Sequence, residues 1–246
     1  MRSVLLLILF ITLSSAEILE AKYKITYGIF GKIGYAVARL ETRGQRYSIS
    51  VKAKATGLAK ILSNGRREEY ISQGYIKNGM FIPDLYKKIR SNSTKKDIKI
   101  YSFDHSRRVV HLRTKRFKNG KLDHDSEETL PFYAKEDILS LYFNLPLHLH
   151  KEAKHLILHA VGGDRKTGRV DIYLPAGEEL KKLKRLLRIK EGKIVDVVIH
   201  QKIFSSKNGR LHIALQKNSP IAKKALLKDV ILFGDITGTL EKVTKK

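Results

Sequence analysis

Alternation with a period of two dominates the chain. Between Arg46 and Thr56, the residues Tyr47, Ile49, Val51, Ala53 and Ala55 fall on one side, and Arg46, Ser48, Ser50, Lys52, Lys54 and Thr56 on the other. Successive side chains of an extended strand point to opposite faces, so this segment reads as a strand with one face in a core and one in water. The pattern recurs with Tyr23, Ile25 and Tyr27 against Lys22, Lys24 and Thr26, and with Val110 and Leu112 against His111 and Arg113. Later, Val170, Ile172 and Leu174 alternate with Asp171 and Tyr173, and Leu211, Ile213 and Leu215 with His212 and Gln216. Asn78-Gly79, Asn119-Gly120 and Asn208-Gly209 stand between such runs. Asn-Gly is the favoured two-residue hairpin turn because both positions need positive φ. About a dozen strands follow from these signals.

Helical signal is sparse. Gly57 to Ser63 has room for a turn or so. Lys135 to Phe143 sets Ile138, Leu139, Tyr142 and Phe143 at helical spacing, with Pro131 before it and Pro146 expected to close it. Glu178 to Leu187 fits a helix through Leu180, Leu183, Leu186 and Leu187, and a strand through its continuation into Ile189. No Pro/Ser linker, composition shift or repeat of fixed period divides the chain. The pattern predicts an all-β, mainly antiparallel fold: one large sheet curled into a barrel, half-barrel or spiral, with one or two short helices. Residues 17–246 then form a single domain. Segment 135–143 is its candidate lid or plug, and the small inward residues Gly34, Ala36, Ala38, Ala53 and Ala55 leave room beside two strands.

The first sixteen residues depart from this alternation. Arg2 is followed by the apolar run Val4 to Leu13, broken only by Thr12, and then by Ser14-Ser15-Ala16. That order is a secretory signal with small residues at its cleavage subsites, and the run is shorter than the roughly 20 residues a spanning helix needs. Residues 1–16 are therefore expected to direct the chain to the periplasm.

Export changes the meaning of the charge. The chain has 49 Lys+Arg against 24 Asp+Glu, so 49 − 24 = +25. In an exported protein this excess points away from nucleic acid and toward an anionic membrane surface, with compositional bias as the competing reading. The absence of cysteine excludes disulfides, Cys nucleophiles, iron–sulfur clusters and thiolate zinc sites.

Candidate chemistry is thin. Gly28-Ile29-Phe30-Gly31-Lys32-Ile33-Gly34 has G-x-x-G-x-x-G spacing and leads into a strand, so no helix N-terminus is there to take a phosphate. Gly163 to Gly168 has P-loop glycine spacing, but Arg169 and Val170 stand where Lys and Ser/Thr are needed. It reads as a tight loop whose Arg165, Lys166 and Arg169 can still grip an anion. His148, His150, His155 and His159 fall close together, but residues four apart in a strand are about 13 Å distant and cannot share a metal. His148 and His150 are expected on one side of a strand without a carboxylate partner. Asp123-His124-Asp125 and Asp104-His105 are expected in hairpin loops, with neighbouring side chains diverging. No catalytic residue, metal site or cofactor is predicted.

The order of several short elements is informative. Tyr23-x-Ile25-x-Tyr27-Gly28, the pair Gly31 and Gly34, Ala55-Thr56-Gly57-Leu58, Pro83-x-x-Tyr86 and the block Asp137-Ile138-Leu139-Ser140-Leu141-Tyr142 together resemble a family of exported bacterial proteins, domain of unknown function 3108. The resemblance runs over most of the mature chain. It implies a β-rich periplasmic protein of Gram-negative bacteria linked to the cell envelope, and it supplies no catalytic residue. Asp137 and Ser140 read equally as a helix cap with its partner and as a site. Two functions follow as expectations. One is a non-enzymatic binder or carrier of a hydrophobic or anionic envelope component, such as a lipid or glycolipid. The other is a structural protein docking a protein partner in cell-wall or outer-membrane assembly.

Overall fold

The computed structural model describes residues 16–149, 153–200, 209–216, 219–230 and 234–246. The expected leader up to Ser15, His150 and Asn208 lie outside them. The first half of the chain is a meander of eight strands: β1 (Glu17–Tyr27), β2 (Lys32–Arg43), β3 (Arg46–Ala55), β4 (Arg67–Lys77), β5 (Met80–Ser91), β6 (Lys95–Asp104), β7 (Val109–Lys118) and β8 (Lys121–Thr129). A 3-10 turn, Gly28–Phe30, joins β1 to β2, and helix α1 (Gly57–Leu62) joins β3 to β4. The second half contains β9 (Glu136–Asp137), helix α2 (Ile138–His148), β10 (His155–Val161), β11 (Arg169–Tyr173), helix α3 (Gly177–Leu187), β12 (Lys193–Val198), β13 (Arg210–Leu215), β14 (Ala222–Val230) and β15 (Gly234–Lys245).

Among the described residues all fifteen strands belong to one sheet, ordered β8-β7-β6-β5-β4-β3-β2-β1-β15-β14-β13-β12-β11-β10-β9. Every pairing is antiparallel except the short parallel pair of β9 and β10. Strands β1 and β15 join the two meanders along their length, from Leu19 opposite Lys245 to Tyr27 opposite Ile236. The expected turns are present: Asn78 and Gly79, and Asn119 and Gly120, take the positive φ of the hairpin turn.

The sheet curls until β9, at one end, lies against β5, well inside the other end. Unsatisfied backbone brings them together. Strand β6 pairs with β5 only from Leu85 to Ser91, which leaves the first half of β5 without a neighbour on that side. Side chains take the missing place. Asn144 Oδ1 accepts from the Phe81 amide and its Nδ2 donates to the Phe81 carbonyl, both at 2.9 Å. A His105 ring nitrogen holds the Pro83 carbonyl at 2.7 Å. Pro83 lacks an amide hydrogen at the stretch where no strand would receive it. Across the strand, Gly74 allows close approach at a bulge, since a Cβ there would stand 2.0 Å from the Ile82 carbonyl oxygen.

Helix α2 fills the interior. Leu141 and Leu145 pack against Val170, Ile172, Val195 and Ile213; Phe143 packs with Tyr47 and Ile49; Ile138 and Leu139 reach Tyr86, Val110 and Val161. Alternate residues of β12 and β13 turn outward, where Ile194 and Ala214 receive Leu183 and Leu187 of α3. The ambiguous Leu-rich segment is thus a helix, ended by Arg188 in the left-handed conformation.

Several expectations are corrected. Helix α2 starts at Ile138, because Asp137 caps it, and it runs through Pro146 to His148. Pro146 lies in the last turn, where the helix still closes with Leu149 N–H on the Leu145 carbonyl. His148 therefore ends a helix, and it does have a carboxylate partner: its Nε2 lies 3.0 Å from Glu136. Asp123-His124-Asp125 lies within strand β8, with both faces exposed.

Asp137 and Ser140 form a capping box. The Asp137 carboxylate accepts from the Leu139 and Ser140 amides, and the Ser140 hydroxyl receives the Asp137 amide. Ser72 donates to the other carboxylate oxygen at 2.5 Å, and Tyr47 is bonded to Ser72. Burial pushes the Asp137 carboxyl up from 3.8 to about 7. Between those values the folded protein keeps a proton that the unfolded chain releases. That contribution to stability is complete below 3.8 and is lost as pH rises through about 7. Asp137→Asn keeps a capping side chain and cannot titrate, so it is expected to flatten the stability–pH curve over this window. Chemical denaturation at a series of pH values tests this; an unchanged slope would exclude Asp137 as its source.

Candidate functional site

The register of β4 to β7 places three rows of side chains on the face that includes Ser72 and Tyr86. Nearest the core, Ser72, Tyr86, Tyr101 and Leu112 are opposite one another in turn. The next row is Tyr70, Lys88, Lys99 and Thr114, and the third is Glu68, Arg90, Asp97 and Arg116. Moving outward along these strands, the face changes from apolar to cationic over a few residues. Small residues adjoin it: Ala53 is opposite Glu68 and Ala36 opposite Ala53.

Glu68, only 3 % exposed, organises the third row. Its carboxylate accepts from Arg66 Nε at 2.9 Å, receives the Tyr70 hydroxyl, and lies 3.5 Å from Arg90 Nε. The second row has no such compensation. Lys88 and Lys99 are cross-strand neighbours, a like-charge pairing that opposes sheet stability. Among the described residues neither amine has a carboxylate within ion-pair distance. Lys88 lies over the Tyr70 ring at 5.5 Å. Burial, then Arg90, Lys99 and Arg165, push its amine down to about 8, against the pull of Glu68. Lys99 is lowered as well, first by burial and then by Arg165.

Tyrosines surround the two amines. Tyr86, 1 % exposed, stacks on Tyr101 at 5.5 Å, and its buried hydroxyl has no hydrogen-bond partner among the described residues. Burial holds the phenols of Tyr70, Tyr86 and Tyr101 protonated, Tyr101 being pushed up to about 12. Lys88, Lys99 and the Tyr86 hydroxyl are donors without a matching acceptor among the described residues. The chemistry of this arrangement is recognition of an anion.

The three basic residues of the β10–β11 loop separate. Arg165 is exposed at the loop, and its charge disfavours the charged forms of Lys88 and Lys99. Lys166 is exposed, its amide bonded to Asp164. Arg169 is fixed to Asp171 through Nε at 2.7 Å and Nη2 at 2.8 Å, on the face opposite the inward Val170 and Ile172. Asp171 also accepts from Nε2 of His155, at 2.6 Å, and from His200. These donors hold its carboxyl well below the usual range, the Arg169 bond being the largest cause. Ile138, Leu139, Tyr142 and Phe143 pack against the buried clusters inside the curled sheet. Among the described residues no group of three or more His, Asp or Glu is placed to hold a metal ion.

Sequence reading misses Lys88 and Lys99 because no local signal marks them. Their opposition exists only in the β5–β6 register, although Tyr-Lys-Lys-Ile-Arg at Tyr86 to Arg90 and Lys-Ile-Tyr at Lys99 to Tyr101 share an alternating basic and aromatic face.

The family model described as Protein of unknown function (DUF3108) matches residues 22–241. The chain belongs to the DUF3108 family. The match spans β1 to β15, so the DUF3108 region contains both the cationic face and helix α2. No curated protein matches the chain. Among solved structures, it is similar to a β-barrel-like protein of domain of unknown function DUF1849 from Brucella abortus, with 10 % identity, a TM-score of 0.49, and coverage of 93 % of this chain and 98 % of that one.

Proposed function

We propose that this DUF3108 protein is a non-catalytic binding protein of the periplasm, exported by its first sixteen residues, that holds an anionic amphiphile of the cell envelope. The observation that supports this reading is the pair Lys88 and Lys99, opposed on a half-buried face without a carboxylate at ion-pair distance among the described residues. A fold that keeps two like charges together bears an electrostatic cost which an anion removes. The alanines of β2 and β3 adjoin this face as small apolar residues, and the overall charge of +25 favours approach to anionic surfaces.

Native mass spectrometry of protein released gently from envelopes is expected to show a bound anionic lipid or glycolipid. Vesicles containing phosphatidylglycerol are expected to retain the protein at low salt and release it at high salt, while phosphatidylcholine vesicles do not retain it. Recovery of empty protein that ignores both vesicles overturns the proposal. Strand β8, exposed throughout and open along one edge of the sheet, favours a second reading in which a partner strand docks there. In-cell crosslinking from β8 that traps one defined protein, together with negative lipid results, would replace carriage by docking.

A further inference from the structure

The geometry points to a phosphate monoester as the group bound by the cationic face, with Lys88, Lys99 and Arg165 around it. This rests on the binding role proposed above and adds the chemical class of the ligand. Three observations lead to it. First, the charge count: Glu68 already has Arg66 and Arg90 beside it, and among the described residues neither Lys88 nor Lys99 has a carboxylate within ion-pair distance. An excess of about two positive charges matches the −1.5 to −2 of a phosphate monoester at neutral pH and exceeds what a diester or carboxylate supplies.

Second, the unsatisfied donors have the right kind and place. The Tyr86 hydroxyl is buried without a hydrogen-bond partner among the described residues, and it belongs to the residue two before Lys88 on the same face of β5. A tetrahedral group with three terminal oxygens has enough acceptors for guanidinium, ammonium and phenol together. Third, the cations come from two parts of the chain distant in sequence, β5–β6 and the β10–β11 loop. An anion seated there neutralises Arg165 and the two lysines at once and ties that loop to the β5–β6 face.

The test uses the whole protein with defined probes. Inorganic phosphate is titrated by calorimetry and phosphorus NMR, with sulfate as a competitor. Vesicles of phosphatidic acid are compared with phosphatidylglycerol vesicles of equal surface charge. The expected result is saturable phosphate binding, weakened about tenfold by Lys88→Gln and several-fold by Arg165→Ala, and unchanged by Lys242→Ala on the exposed end of β15. Arg165 is on an exposed loop, so its variant remains informative if Lys88→Gln disturbs folding. Binding should also take up protons above pH 8, because an anion restores the charge of the Lys88 amine. Preference for phosphatidic acid vesicles assigns the phosphate to a lipid headgroup; binding of inorganic phosphate with no such preference assigns it to a free or soluble phosphate. Absence of phosphate binding, binding indifferent to Lys88→Gln and Arg165→Ala, or equal competition by sulfate overturns the inference. If an anionic lipid without a phosphate monoester still co-purifies, only the ligand class fails; empty protein removes the binding role as well.

Discussion

Asn144→Leu is expected to destabilise the protein by about 2 to 4 kcal/mol, a fall of about 10 °C in Tm. Leucine has the branching and the number of side-chain heavy atoms of asparagine and is larger, so the loss does not come from a cavity. It comes from the Phe81 peptide, whose amide and carbonyl both bond to Asn144 where β6 no longer runs beside β5. Each half-buried backbone group left without a partner costs about 1 to 3 kcal/mol. Glu136, which receives the second Nδ2 hydrogen of Asn144, loses a donor as well. Denaturant unfolding of both proteins measures the difference. A loss below about 1 kcal/mol would mean that water replaces Asn144 at Phe81 and that the contact of β9 with β5 is wet.

Asp171→Asn should have the second largest effect, about 2 kcal/mol at neutral pH. The carboxylate is fully buried, but Arg169, His155 and His200 are each more than a third exposed. Removing the charge therefore leaves donors that water can reach, and the cost stays below the 3 to 5 kcal/mol typical of a buried pair broken on one side. The pH dependence is distinctive. The folded carboxyl is held low, so its contribution is present above the ordinary aspartate value, near 3.9, and is lost as pH falls through the lower folded value. The stability gap between wild type and variant should close on acidification. A gap that persists unchanged in strong acid would contradict an ionic role for Asp171.

How far the fold is legible depends on which faces of each element are covered. Strand β3 buries Tyr47 and Ile49 and exposes Lys52 and Lys54, so its period survives in the sequence. Strand β8 has no covered face, and without a buried side there is no period to read. Asp123 to Asp125 consequently resemble a loop. Helix α3 was ambiguous because its apolar stripe is narrow, with only Leu183 and Leu187 buried. Helix α2 was legible in position and wrong in extent: its apolar spacing is local, whereas its start is fixed by a capping box and a hydrogen bond from Ser72, 65 residues earlier.

The candidate site was legible only in part. Arg165 was visible as a loop cation, but its association with Lys88 and Lys99 requires the sheet to curl and bring the β10–β11 loop toward β5 and β6. The separation of Arg169 from Arg165 follows from strand alternation, which sends Arg169 and Asp171 outward together. A reading of the loop as a unit does not contain that information. The link between His148 and Glu136 is similar, since it joins the last turn of α2 to the strand before it.

The pairing of β1 with β15 also has a kinetic consequence. The eight strands of the first meander have neighbours close in sequence, so they can form as successive hairpins. The contact of Leu19 with Lys245 closes nearly the whole chain into one loop, and its entropic cost falls on a single late step. Until that step, β1 presents a long unpaired edge of eleven residues. The interval between formation of the first meander and arrival of β15 is thus the period in which the chain is most open to strand-to-strand aggregation and most suited to capture by a chaperone.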